Sequence, residues 1–151
     1  MSNEVCAPML VIRECCTEDA RAMTSLMRQL NYPTTLNVMK EQLAMLENDS
    51  QHSTLVAEVD GAIVGTIALE VVRTQDMAKP IAKITSLVID EKHRKQGLGK
   101  RLVNEVESRV RRLGSSHLLV GCKADGPSVK ATAFYERLGF ECNGYRLSKT
   151  L

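Results

Sequence analysis

Aromatic side chains are scarce in this chain, at 3% of 151 residues, and neither sign of charge is in real excess. Lys and Arg number 20 against 18 Asp and Glu, a formal net charge of +2. A module that holds nucleic acid needs a dominant basic surface, and for single strands stacking rings as well. The composition argues against both, and net charge gives no case for a membrane surface. No apolar run is long enough to span a bilayer. The N-terminal residues lack the basic region, apolar stretch and cleavage site of a secretory leader. Five cysteines are an odd number and form no C-x-x-C pair, and Cys15 and Cys16 are adjacent. That arrangement suits neither a disulfide framework nor a zinc site. Cys6, Cys122 and Cys142 read as reduced, small apolar residues. His52 and His117 have no partner at metal-ligand spacing, so no metal site is argued. No G-x-S-x-G elbow serves a hydrolase. The expectation is a cytoplasmic protein with no nucleic-acid, membrane or metal partner.

What is present fits one mixed α/β domain over residues 1–151, a length that buries a core without staples. "MLVIRE" (9–14) reads as a first strand. Thr17 is expected to cap a helix carrying Glu18 and Asp19 in its first turn and Ala20, Met23, Met27 and Leu30 on its apolar face. "NYPTT" (31–35) interrupts it at Pro33, and Leu36, Met39, Leu43 and Leu46 mark a second amphipathic helix. Two β-rich runs flank Asp60-Gly61, the strongest short hairpin signal. Residues 73–82 read as an exposed loop and "AKITSLVID" (82–90) as a strand. A helix follows with Leu98, Leu102, Val106, Val110 and Leu113 on its apolar side, stopped by Gly114. Then come a strand (117–123), a turn at "ADGPS" (124–128), a helix (129–138) ended by Gly139, and one or two terminal strands.

Between the fourth strand and the third helix lies "RKQGLGKRL" (94–102), two glycines and four basic side chains in nine residues. A strand, a glycine turn and a helix start make a recurring anion site. The first helical amides lack partners, the helix dipole favours negative charge, and glycine permits close approach. The spacing is wrong for a Walker A loop, since Gly97 and Gly99 are too close and Arg101 stands at the hydroxyl position. It is wrong for a dinucleotide fingerprint, since Leu102 takes the third glycine position. The pattern that fits is R/Q-x-x-G-x-G/A, carried by Arg94, Gly97 and Gly99.

"AFYERLGF" (133–140) lies one strand and one turn downstream. Together with "LVIDEKHRKQGLGKRL" it strongly resembles the GNAT superfamily of acyl-CoA-dependent N-acetyltransferases, over most of the chain. The resemblance implies a twisted, mostly antiparallel sheet flanked by about four helices, with the fourth and fifth strands (83–89 and 117–123) splayed apart. It implies acetyl-CoA as cofactor, its pantetheine arm entering the split. Transferred by position, Leu87, Val88 and Ile89 offer backbone groups to the pantetheine and the thioester carbonyl. Arg94 and the amides of Lys95, Gln96, Gly97, Leu98, Gly99 and Lys100 hold the pyrophosphate. Ser128 and Ala131, at the start of the last helix, complete the cofactor contacts; Ser128 stands where many relatives have Asn.

By the same resemblance Tyr135 is the general acid for the departing thiolate. Many relatives carry a glutamate on the fourth strand to remove the amine proton. That strand here offers Lys83, Thr85 and Ser86, so Glu70 on the preceding strand, or ordered water, is the substitute. His93 beside the basic turn reads as a surface residue or an aid to cofactor phosphates. The acceptor is expected opposite the cofactor, near Tyr32, the 73–82 loop and the terminal strands. Glu70 and Asp76 would attract a cationic amine; Arg73, Lys79 and Arg146 an acidic one. Length and the ending "GYRLSKTL" look like small-molecule members of the superfamily, those acting on aminoalkylphosphonates and aminoglycosides among them. Dimers are common in that family, though nothing in this sequence demands one. Two other readings stay open: a non-catalytic acyl-CoA-binding module and, less favoured by composition, a nucleic-acid-binding module using the basic cluster with Arg109, Arg111 and Arg112.

Overall fold

The computed structural model describes residues 9–29, 34–73, 79–115, 117–120, 129–143 and 146–151. The chain runs β1 (Leu10–Glu14), α1 (Ala20–Gln29), α2 (Leu36–Glu47), β2 (His52–Val59), β3 (Ala62–Val72), β4 (Ile81–Ile89), α3 (Leu98–Arg112), β5 (His117–Val120), α4 (Val129–Arg137), β6 (Glu141–Asn143) and β7 (Arg146–Thr150). The seven strands form one sheet in the order β1-β2-β3-β4-β5-β7-β6. Every neighbouring pair is antiparallel except β4 with β5. The mixed α/β architecture expected from the sequence is therefore present, and the chain end supplies two strands. No described helix is long and apolar enough to cross a membrane.

Each face of the sheet buries its own core. On one side α3 and α4 cover Leu55, Ile67, Leu69, Ile84 and Leu118 with Leu102, Val106, Val110 and Tyr135. On the other, α1 and α2 lay Met23, Leu26, Met39 and Leu43 over Val56 and Val88. Several details differ from the sequence expectation. Thr17 is not the helix cap: residues Thr17–Asp19 form a 3-10 turn ahead of α1, and the Cys16 N–H donates to Asp19 Oδ2 at 2.9 Å. The Thr17 N–H instead donates to Glu47 Oε1 on α2 at 3.2 Å. Leu26 is buried on α1, whereas Leu30 lies outside the described residues. Leu113 is exposed at the end of α3, where Gly114 takes a positive φ of 87°. The Asp60-Gly61 hairpin is a two-residue turn with both φ values positive, 52° and 86°, the conformation that matches strand twist.

β4 is the strand that shapes the site. Ile84 pairs with Leu69 and Ser86 with Ala68, which leaves Thr85 as an extra residue, a β-bulge. Strand side chains alternate faces, so one inserted residue exchanges them. Ala82 and Ile84 point to the α3/α4 core before the bulge. Leu87 and Ile89 point there after it, and Val88 turns to the α1/α2 core.

Two ion clusters tie the layers. Lys149 on β7 donates to Glu107 Oε1 on α3 at 2.6 Å. Arg13 on β1 grips Asp19 through two parallel bonds of 2.8 Å and reaches Glu58 on β2 at 2.6 Å. Bidentate pairing of this kind is the strong form. The Arg13 hydrogen bonds lower the Asp19 carboxyl, against the opposing effect of burial, from 3.8 to about 2. Asp19 is therefore more acidic folded than unfolded, and its contribution is complete above about pH 4. It is lost as pH falls through about 2, and amounts to about 2 kcal/mol. We expect Asp19→Asn to lower stability by roughly that amount at pH 7, measured by urea unfolding, and to flatten the acid limb of the wild-type profile between pH 4 and 2. Parallel profiles for the two proteins would remove this cluster from the account.

Candidate active site

The chain leaves β4 at Ile89, makes a 3-10 turn at Glu91–His93, and enters α3 through Lys95, Gln96 and Gly97. Lys95 and Gly97 take positive φ values of 64° and 81°, either side of Gln96. Such a turn directs backbone N–H groups into a shared concavity. Gly97 is the residue ahead of the first helical turn and has no side chain to cap it; the first helical bond runs from the Arg101 N–H to the Gly97 carbonyl at 3.0 Å. The amides of Gly97, Leu98, Gly99 and Lys100 precede that bond and have no acceptor within the helix. Arg94, Lys95, Gln96, Gly97 and Lys100 are exposed, and the Leu98 side chain is buried. Leu98 can thus serve a ligand through its backbone alone.

The two glycines do different work. A Cβ on Gly97 would meet nothing within 4 Å, so its requirement is the left-handed φ. A Cβ on Gly99 would stand 3.1 Å from the Phe134 ring, so glycine there lets α3 lie close against α4. Arg94 does not simply face solvent: its Nε donates to the Ile89 carbonyl at 3.1 Å and braces the end of β4.

Among the described residues β4 and β5 pair over Ala82–Leu118, Lys83–Leu119 and Ile84–Val120. Beyond Ile84, residues Leu87, Val88 and Ile89 keep their partners Ile67, Thr66 and Gly65 on β3. On their other side no described strand pairs with them. Their side chains are spent on the two cores, so what this edge offers is backbone. The 121–128 segment, with Ser128, lies outside the described residues, as does Tyr32. Ala131 is half-buried on α4.

Tyr135 is buried in the α3/α4 core, 6% exposed. Its ring meets the edges of Phe134 and Phe140 at centroid distances of 5.1 and 5.3 Å. Burial pushes its hydroxyl up to about 12, so it is a neutral O–H across the physiological range. Glu70 is half-buried on the opposite face of the sheet, as alternation beside Leu69 and Val71 requires. It stands opposite His52 on β2 and Lys83 on β4, and Lys83 in turn pairs with Leu119 on β5. Tyr135 and Glu70 thus lie on opposite faces of the sheet rather than side by side.

His93 is held rather than free, its Nδ1 2.8 Å from Asp90 Oδ2. Asp90 also accepts from Gln29 of α1 at 2.6 Å. Gln29 was invisible to sequence reasoning, because a glutamine at a helix end carries no pattern of its own. Cys15 and Cys16 are free thiols; burial, the largest cause, with neighbouring Asp19 pushes Cys15 up to about 12, the state of an unreactive thiol.

Comparison with known proteins agrees with this geometry. Residues 18–140 match the family model described as Acetyltransferase (GNAT) family. The chain is 33% identical over 89 residues to "Probable N-acetyltransferase 14" of Danio rerio, a match covering 59% of this chain and 30% of that protein. It superposes on an acetyltransferase from Thermus thermophilus with TM-score 0.79 at 20% identity, covering 95% of this chain and 97% of the other. It superposes on the PaiA N-acetyltransferase of Thermoplasma acidophilum, solved in complex with coenzyme A, with TM-score 0.75 at 15% identity, covering 95% and 99%. A glycine turn feeding α3, a parallel β4–β5 pair in an otherwise antiparallel sheet and a buried tyrosine on α4, with a family match across most of the length, lead to one conclusion: this chain belongs to the GNAT acetyltransferase family.

Proposed function

We propose that the protein transfers an acetyl group from acetyl-CoA to a primary amine, most simply that of a small molecule, by direct attack. The observation that carries this is the start of α3, entered directly from β4 through a glycine turn, where the amides of Gly97 to Lys100 precede the first helical bond and exposed Arg94, Lys95 and Lys100 stand beside them. The residues present fit the cofactor. The concave turn at Lys95–Gly97 and the amides of Gly97, Leu98, Gly99 and Lys100 would hold its phosphates, with Arg94 and Lys95 adding positive charge. The backbone of Leu87, Val88 and Ile89, which no described strand pairs on the β5 side, would pair with its amide-bearing arm. A backbone N–H there would also polarise the carbonyl oxygen under attack. Acetyl-CoA supplies an activated acyl thioester.

The remaining demands fall on side chains. The acceptor must lose a proton, and Glu70, opposite Lys83 of β4, is the carboxylate assigned to take it, with water as the intermediary. The sulfur must not depart as a bare anion. Tyr135, a neutral donor up to about pH 12, would hold a hydrogen bond to it as charge develops. The separation of the two groups by the sheet is an advantage here. Attack from one face and departure toward the other need not share space.

These assignments make three expectations. Gly99→Asp places a charge at the phosphate turn and a Cβ against Phe134; acetyl-CoA affinity by calorimetry should fall at least 100-fold while circular dichroism shows the chain still folded. Unchanged affinity in the folded variant would refute the phosphate site. Tyr135→Phe should retain acetyl-CoA affinity within about twofold and lower kcat about 100-fold, the scale of a general-acid contribution; equal turnover would remove the hydroxyl from the mechanism. Glu70→Gln should lower kcat at least tenfold if that carboxylate takes the proton, and a twofold change or less would assign proton loss to water alone. Turnover is read as free CoA released across a panel of aminoglycosides, polyamines, aminophosphonates, amino acids and a lysine peptide. Tight acetyl-CoA binding with no release on any amine would favour a non-catalytic acyl-CoA-binding module, the reading to which the lack of a carboxylate on β4 lends support.

A further inference from the structure

Gln29 is the last residue of α1, yet its side chain engages the far end of β4. Its Nε2 donates to Asp90 Oδ1 at 2.6 Å, and its Oε1 accepts from the Glu91 N–H at 2.9 Å. Both ends of one amide are thereby used on two consecutive residues, a two-point clasp that a carboxylate, an alkyl chain or a shorter amide cannot reproduce. The second Asp90 oxygen, Oδ2, lies 2.8 Å from His93 Nδ1. The Asp90 N–H donates to the Val64 carbonyl and the His93 N–H to the Asp90 carbonyl, both at 2.8 Å. Arg94 Nε closes the stretch on the Ile89 carbonyl. Residues Ile89 to Arg94 are therefore held from three directions: by β3, by their own side chains and by α1. They lead directly into Lys95, Gln96 and Gly97, whose backbone forms the concave turn.

We propose that Gln29 is a positioning residue for the cofactor: through Asp90 and Glu91 it sets the exit angle of β4 and so pre-organises the phosphate-holding turn. The proposal rests on the acetyl-CoA reading above. Its physical basis is that a turn held in advance need not be ordered on binding. Lys95 is a case of this need, since a non-glycine residue at a positive φ is strained and requires its surroundings to hold it. The role is confined to binding. Gln29 touches neither the split nor Tyr135, so it should affect how well the cofactor is held and not how fast the bound complex reacts. Linkage makes the effect reciprocal: occupancy of the turn should tighten the clasp in turn.

The test compares wild type with Gln29→Leu, Gln29→Glu, Asp90→Ala and the Gln29→Leu/Asp90→Ala double variant, using acetyl-CoA as the probe. Calorimetry should show acetyl-CoA Kd raised five- to tenfold in Gln29→Leu and further in Gln29→Glu, which sets a second carboxylate against Asp90 with Glu91 alongside. KM for acetyl-CoA should rise in parallel while kcat stays within twofold. The double variant should be little worse than Asp90→Ala alone, because the two side chains act as one unit. Amide exchange at Glu91 should slow on adding acetyl-CoA to the wild type and respond less in Gln29→Leu. If any variant fails to fold, Gln29→Asn, too short to span both partners, should still raise Kd at least twofold. Unchanged Kd in folded Gln29 variants, additive effects in the double variant, or a fall in kcat without a rise in KM would each overturn the role while wild-type binding leaves the cofactor reading standing. Failure of the wild type to bind acetyl-CoA would overturn both.

Discussion

A strand in the middle of a sheet is expected to have a partner on each side, and among the described residues β4 has both over Ala82–Ile84. After Ile84 it retains β3 alone among the described strands. Unpaired backbone groups in the interior of a domain are costly unless something satisfies them. In the proposed function the acetyl-CoA arm is the group that would supply hydrogen bonds to Leu87, Val88 and Ile89. The bulge at Thr85 serves the same end. By shifting the phase of β4 it commits Leu87 and Ile89 to one core and Val88 to the other, which anchors the edge through its side chains and leaves its backbone available.

The phosphate turn follows from the same geometry. α3 must begin at the end of β4 with its amides exposed, and it must also lie against α4, which carries Tyr135. Gly97 serves the first need through its left-handed φ and Gly99 the second through its missing Cβ. One motif therefore joins the turn before α3 to the placement of the helix that carries Tyr135. Phe134 is the shared element, touching Gly99 on one side and the Tyr135 ring on the other. The clasp from Gln29 adds the opposite layer of the sandwich to this arrangement.

Electrostatics divides between site and frame. Arg13–Asp19–Glu58 and Lys149–Glu107 each join elements distant in sequence, with buried or half-buried carboxylates matched by cations. Around the turn, Arg94, Lys95 and Lys100 meet no carboxylate within ion-pair distance among the described residues. Positive charge left unmatched where amides are also unpaired is the combination a multiply charged anion would complete.

Local features could be read from the chain alone, because each depends on neighbours along it. The Asp60-Gly61 turn, the α3 start at Gly97, the stop at Gly114 and the amphipathic faces of the helices arise from spacing and conformational preference. The paired motifs at 94–99 and 133–140 were enough to place the turn and Tyr135. The bulge had a faint trace, the change of apolar phase from Ala82 and Ile84 to Leu87 and Ile89, which reads as a plain strand without knowledge of the β3 register. Everything else emerged only when the layers packed. That Gly99 faces Phe134, that Arg94 braces Ile89, that Glu70 and Tyr135 lie on opposite faces and that Gln29 reaches Asp90 are all matters of three-dimensional arrangement. Such contacts are set by how elements settle on one another, and no periodicity of one segment records which atom of another it will meet.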